Sequence, residues 1–161
     1  MFIDSYWDKI ISLSSVNYKD YFIRHSNFEG HLSQISSDLD KQDATFIVRR
    51  DLRTLWCDNF NTISLESVNY LGYFLVVQEG LINLVKIDEN SDSSLKDMAS
   101  FEVFKENDII SLGSAKELWN QDGEFYIRHQ DFRLKFQSKD GSNLFEQDIK
   151  FKIEAPQWNV Y

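Results

Sequence analysis

Scarcity defines this chain first. Of 161 residues one is cysteine, one is proline, six are glycine and three are histidine. A single cysteine, Cys57, excludes an internal disulfide and an all-cysteine metal site, and reads as a small buried hydrophobe. Three scattered histidines supply no metal-ligand spacing, and no glycine-rich phosphate loop is present, so neither metal nor cofactor is expected. Basic residues are outnumbered, 17 against 26 acidic, for a net charge of −9. That balance disfavours nucleic acid and anionic lipid as partners. Long hydrophobic runs are missing too. The longest, Leu71 to Val77, is far short of the roughly 20 residues of a membrane helix. The first ten residues carry Asp4, Asp8 and Lys9 and do not read as a signal peptide. The expectation is a cytoplasmic protein, or an extracellular module of a larger chain.

What is plentiful is aromatic: 13 Phe, seven Tyr and four Trp, which favours pleated strands. These residues recur in register. ISLSSVNY begins at Ile11, ISLESVNY at Ile63 and ISLGSA at Ile110, spaced by about 50 residues. YFIRHSNF (Tyr21 to Phe28), YFLVVQEG (Tyr73 to Gly80) and FYIRHQDF (Phe125 to Phe132) follow in turn. Each repeat closes on a matched segment read as a strand: DATFIV from Asp43, MASFEV from Met98 and DIKFKI from Asp148. Within the first repeat, strands are predicted near Ile11–Val16, Tyr21–His25, Gly30–Ile35 and Ala44–Arg49, with polar turns between them. Ser93 to Glu106 carries a helix-like pattern of its own, but its alignment with two strand-like counterparts favours a strand. Three copies of four strands predict an all-β fold, a β-trefoil of twelve strands in a single domain over 1–161, with repeats of about 11–53, 63–105 and 110–154.

The three repeats serve as controls for one another. Apolar positions hold throughout: Ile11, Ile63 and Ile110; Leu13, Leu65 and Leu112; Ile23, Leu75 and Ile127; Phe46, Phe101 and Phe151. These are core. A polar set behaves differently. Arg24, His25 and Asp43 match Arg128, His129 and Asp148, whereas the middle repeat has Val76, Val77 and Met98. The set is lost together while the core is kept, which marks it as dispensable for folding and a candidate for binding. A carboxylate accepts from two adjacent hydroxyls, and an imidazole donates to or accepts from a third. Beside an aromatic wall that chemistry suits a sugar, with Tyr18 the favoured ring among Tyr18, Phe28, Tyr126 and Phe132. A buried His–Asp pair replaced by a Val–Met contact is the structural alternative.

The runs S-V-N-Y (Ser15 to Tyr18), Y-F-I-R-H-S-N-F and D-A-T-F resemble the arabinose-binding domain of α-L-arabinofuranosidase B, the AbfB domain, over roughly Ile11 to Ile153. The resemblance implies a β-trefoil carbohydrate-binding module for arabinofuranose side chains of polysaccharides. It implies that His25 with Asp43, and His129 with Asp148, hold the sugar, with Asn27 and Asp131 as lesser contacts. The middle repeat lacks the pair, so two sites are implied. The third repeat lacks S-V-N-Y, having Ser114-Ala115-Lys116-Glu117 and an insertion through Trp119 to Glu124, which predicts an altered wall for the third pocket.

No facing carboxylate pair marks a glycosidase, so no catalytic residue is assigned and the chain is not read as an enzyme. Asp88 to Asp92 reads as a solvated turn rather than a calcium loop. The competing function is a protein-interaction or receptor-binding trefoil that has lost arabinose binding. For it, Val76, Val77 and Leu81 would form an exposed apolar patch.

Overall fold

The computed structural model describes residues 6–50, 52, 61–115 and 124–159. Cys57, most of the insertion after Trp119 and the outermost residues of both termini lie outside them. The described residues contain twelve strands, four to each repeat. The first repeat supplies β1 (Ile10–Ser15), β2 (Tyr21–Ser26), β3 (Glu29–Gln34) and β4 (Phe46–Arg50). The second supplies β5 (Thr62–Ser67), β6 (Tyr73–Gln78), β7 (Leu81–Lys86) and β8 (Phe101–Glu106), and the third β9 (Ile109–Ser114), β10 (Phe125–Gln130), β11 (Arg133–Ser138) and β12 (Phe151–Glu154). No helix among the described residues is long and apolar enough to cross a membrane.

All pairings are antiparallel and join the strands into one sheet. Followed through β11, β3, β2, β1, β12, β9, β8, β5, β6 and β7, the hydrogen bonding returns to β11 at Lys135 opposite Leu81. This ring of ten strands is a closed antiparallel β-barrel, with β4 bridging β1 and β5 and β10 bridging β9 and β11. The β-trefoil expected from the repeats is therefore corrected. The physical reason is that the three hairpins do not stay separate: β3, β7 and β11 pair with one another at Arg133–His31, Lys135–Leu81 and Glu29–Asn83. Closure removes the open edges that any single repeat would present.

Inside lie the apolar positions common to the three repeats. Ile11, Leu13, Ile23 and Phe46, with their counterparts, are all at most 4% exposed. Each last strand begins at its phenylalanine, Phe46, Phe101 or Phe151, and not at the preceding acidic or methionine residue. A short helix intervenes instead: α1 (Asp38–Asp43), α2 (Ser93–Asp97) and α3 (Asn143–Asp148). The strand expected over Ser93–Glu106 is thus a helical turn followed by a strand. Ser37 and Ser142 cap α1 and α3 by accepting from the backbone N–H of Asp40 and Phe145.

One side chain ties the hairpin junction. Arg133 donates through Nη1 to the carbonyls of Gly30 (2.8 Å) and Ile82 (2.6 Å), and through Nη2 to Asn83 Oδ1 (2.7 Å). Its guanidinium satisfies acceptors from both other repeats, and Gly30 lets the hairpins approach closely, since a Cβ there would sit 3.0 Å from Leu134 Cδ1 and 3.1 Å from the Ile82 carbonyl. Arg133→Ala should strip those acceptors of their donor and lower stability by about 2–3 kcal/mol. Urea unfolding followed by tryptophan fluorescence measures this, and the variant should unfold at a lower midpoint with an unchanged slope.

Candidate functional site

The predicted pairs form, and both are buried. His25 and Asp43 are 3% and 5% exposed, and His129 and Asp148 are each 3%. In the first repeat, His25 Nδ1 lies 3.6 Å from Asp43 Oδ1; in the third, His129 Nε2 lies 3.5 Å from Asp148 Oδ1. The aspartates arrive from the last residue of α1 and of α3, the histidines from β2 and β10. A carboxylate at a helix C-terminus opposes the helix dipole. The arginine that precedes each histidine offsets it. Arg24 Nη2 donates to Asp43 Oδ2 at 2.6 Å while Nη1 reaches Asp40 at 2.7 Å, and Arg128 donates to Asp148 Oδ2.

Each site is completed by the following repeat. Asn69 donates through Nδ2 to Asp43 Oδ1 at 2.8 Å and accepts from His25 Nε2 at 3.0 Å. Asn17 does the same for the third repeat, donating to Asp148 Oδ1 at 3.0 Å and accepting from His129 Nε2 at 2.8 Å. Ser67 and Ser15 orient these amides by donating to their Oδ1 atoms. Around each cluster sits an aromatic trio. Tyr70, Tyr73 and Phe28 surround the first, with ring centroids 5.5–5.7 Å apart. Tyr18, Tyr21 and Phe132 surround the second at 5.5–5.7 Å. Tyr18, Tyr70, Phe28 and Phe132 are each 43–48% exposed.

Tyr18 therefore belongs with His129, 5.2 Å away, and not with its own repeat's His25, which meets Tyr70. The altered wall expected of the third repeat is thus not seen: its cluster takes its tyrosine from the first repeat. By the same order of repeats, the S-V-N-Y that the third repeat lacks is the one that would serve the middle repeat, whose Val76 (0% exposed) and Val77 (7%) are buried. That burial also removes the exposed patch expected of Val76, Val77 and Leu81, the last being half-buried. Asn17, Asn69 and Tyr70 join the cluster beyond the residues singled out from sequence. The signal for them is present in the chain: S-V-N-Y occurs twice, and the absent copy follows the repeat without histidine.

Asn27 and Asp131 lie outside both clusters' hydrogen bonds. They open two-residue turns at hairpin tips, with φ of 52° and 54°, a conformation Asn and Asp tolerate. Phe28 and Phe132 follow at φ 61° and 62°, where the middle repeat has Gly80. A bulky residue in the left-handed region costs about 1–2 kcal/mol. Tyr126 is buried against Phe145 and takes no part. Among the described residues no group of acidic, histidine or cysteine side chains has metal-binding geometry.

Both imidazoles are held neutral. Burial pushes His25 and His129 below the ordinary value of 6.5, against the opposing pull of Asp43 and Asp148. The asparagine carbonyl fixes the proton on Nε2 in each case, leaving Nδ1 as an acceptor without a hydrogen-bond donor among the described residues. Since the unfolded chain takes up these protons near 6.5 and the folded chain resists, stability should fall as pH drops from 7 toward 5. Imidazole NMR titration should place both histidines below 6.5, and His25→Gln with His129→Gln should flatten the pH dependence of the unfolding midpoint.

No curated protein matches the chain. Among solved structures, an arabinofuranosidase complexed with arabinofuranosyl-α-1,2-xylobiose superposes with a TM-score of 0.76 at 21% identity, covering 94% of this chain and 32% of that one. An α-L-arabinofuranosidase soaked with a cyclic sulfate inhibitor gives 0.74 at 21% identity, covering 92% of this chain and 31% of that one. The lectin of Polyporus squamosus, bound to a sialylated epitope, gives 0.59 at 9% identity over 91% of this chain and 49% of that one. These likenesses establish the fold, and the chain spans about a third of the arabinofuranosidases. The sequence profile of the α-L-arabinofuranosidase B (ABFB) domain matches residues 11–118 and again 63–159, so the chain belongs to the AbfB domain family.

Proposed function

We propose that this protein is a non-catalytic carbohydrate-binding module with two equivalent sites, selective for arabinofuranose or a similar side chain of a polysaccharide. The observation that carries the reading is the paired loss. Where the middle repeat has Val76, Val77 and Met98, the repeat after it has also lost the asparagine and tyrosine, though these lie on a different stretch of chain. The barrel core stays intact where the whole set is absent, so closing a junction does not require it.

The geometry suits one mode of binding. With His25 and Asp43 3% and 5% exposed, no sugar ring enters the cluster. The ring rests outside, its C–H face on Tyr70 and Phe28, or on Tyr18 and Phe132 in the second site. Its hydroxyls reach inward, one donating to imidazole Nδ1 and another to the carboxylate Oδ1 that the asparagine already orients. Because Arg24 and Asn69, or Arg128 and Asn17, hold that carboxylate before the sugar arrives, little ordering remains to be done on binding. Hydrolysis is a poor fit. Asp40, the second carboxylate near Arg24, is held at about 2 by the backbone N–H groups of Ser36 and Ser37, too acidic to protonate a leaving group near neutral pH. Two weak sites on one rigid barrel would gain avidity on a branched glycan.

Titration calorimetry with arabinose-decorated xylan oligosaccharides tests the proposal. The native protein should bind with a stoichiometry of two. Tyr70→Ala with Phe28→Gly should leave one site, and adding Tyr18→Ala with Phe132→Gly should abolish binding. Replacing each phenylalanine by glycine also relieves its left-handed backbone, which offsets the aromatic pairing given up with the ring. The fold should therefore hold within about 1 kcal/mol per site. Unchanged affinity in the four-residue variant overturns the assignment, and a glycan array then identifies whichever sugar is bound.

A further inference from the structure

The repeats also differ at a second set of equivalent positions, on the outer face of the barrel. The register aligns Arg49 opposite Ser64, Phe104 opposite Ser111, and Glu154 opposite Ser12. At two of these three places the chain leaving the strand covers the serine. Leu52 donates its backbone N–H to Ser64 Oγ at 3.1 Å, and Gln157 donates to Ser12 Oγ at 3.0 Å, with Trp158 donating to the neighbouring Thr45 Oγ1 at 3.1 Å. Ser64, Ser12 and Thr45 are fully buried as a result.

At the third place the chain turns directly from β8 into β9, with Asn107 at φ 59° and Glu106 paired to Ile109. No segment after β8 is left to lie over Ser111. A cavity of about 420 Å³ opens there, lined by Phe104, Lys105, Glu106, Ser111 and Lys150 among others. Phe104 is 42% exposed, at a position where the two covered repeats have the charged residues Arg49 and Glu154. Lys150 is exposed where the other repeats have the buried Thr45 and Ser100. Among the described residues no segment covers this groove, which presents an aromatic surface and a cation in a chain whose net charge is −9.

We propose that this groove, across β8, β9 and β12, binds an extended peptide segment of a partner protein. The segment donates a backbone N–H to Ser111 Oγ, lays an apolar side chain on Phe104 and brings an acidic side chain to Lys150. The protein's own chain does the first of these things twice, at Ser12 and Ser64, so the partner supplies in trans what the tight turn at Asn107 omits. The interaction is a small one and belongs to the class of weak, tethering contacts.

A fluorescein-labelled peptide spanning residues 154–159, the segment that covers the first of these faces, is the probe. Anisotropy should show saturable binding below about 1 mM, with amide NMR shifts at Phe104, Ser111 and Lys150. Phe104→Ala and Lys150→Glu, both at exposed positions, should each weaken it by about tenfold, and a peptide carrying Gln157→Pro should fail to bind, having no N–H to offer. Absence of saturation, binding indifferent to these changes, or shifts that map to Ser12 instead would overturn the proposal. So would shifts at Phe104 and Ser111 produced by xylan oligosaccharides, which would make the groove a glycan subsite.

Discussion

Everything at the two sites depends on one asparagine amide facing both ways. Asn69 gives its N–H to Asp43 and accepts from the imidazole of His25; Asn17 does this for Asp148 and His129. An amide is suited to this because it carries a donor and an acceptor on one rigid plane. Without it, the carboxylate at the end of a short helix would be buried with half its acceptor capacity unmet, and the imidazole would lose the partner that fixes its tautomer. Leaving a buried charge uncompensated costs about 3–5 kcal/mol, whereas exchanging the whole set for hydrocarbon of similar volume is close to neutral. Partial loss is therefore unstable and complete loss is tolerated. The middle repeat, with Val76 and Val77 buried and Met98 packed on the core, has the second outcome.

Much of the scaffold is legible in the sequence because its signals are local. Period-two alternation locates the strands of the first repeat to within about two residues, and the invariant Ile, Leu and Phe positions are the core. The helices are not legible. At five or six residues they are too short to display a helical period, and their polar letters look like turns. This is why Asp43 and Asp148 look like strand openers when they in fact end helices. Barrel closure is not legible either, because it rests on pairings between hairpins of different repeats, such as Lys135 with Leu81, which no window of sequence contains.

The site is legible by residue type and only half legible by location. Matching Arg-His and Asp across repeats finds its inner half. The outer half falls in the wrong repeat when copies are compared in register, because that comparison treats each repeat as a closed unit. In the folded chain the loop after β1 leans on the preceding repeat's histidine, so Tyr18 serves His129 and Tyr70 serves His25. The hairpin tips complete the picture. Phe28 and Phe132 persist in a backbone conformation that glycine occupies more easily, and glycine does occupy it at Gly80, beside the one junction without the polar set. Strain is retained where an exposed ring borders a buried imidazole and relaxed where there is none.

Counting by junction rather than by repeat brings these asymmetries together. Three repeats closed into a ring make three junctions, and each of the two polar clusters uses one: first with second, and third with first. The remaining junction, second with third, holds hydrocarbon at Val76 and Val77, has glycine at its hairpin tip, and passes from β8 to β9 by a tight turn. Among the described residues the same junction leaves Ser111 uncovered, while Ser64 and Ser12 are covered at the other two. A covering segment requires chain that runs on past the last strand of a repeat before any next strand begins, and a tight hairpin supplies none, so the turn from β8 to β9 leaves no segment of its own over Ser111. The burial of Val76 and Val77 keeps this junction closed through apolar contact, without help from a buried ion pair. One junction has thus been freed from the constraint that shapes the other two, and its exposed aromatic and lysine follow from that freedom.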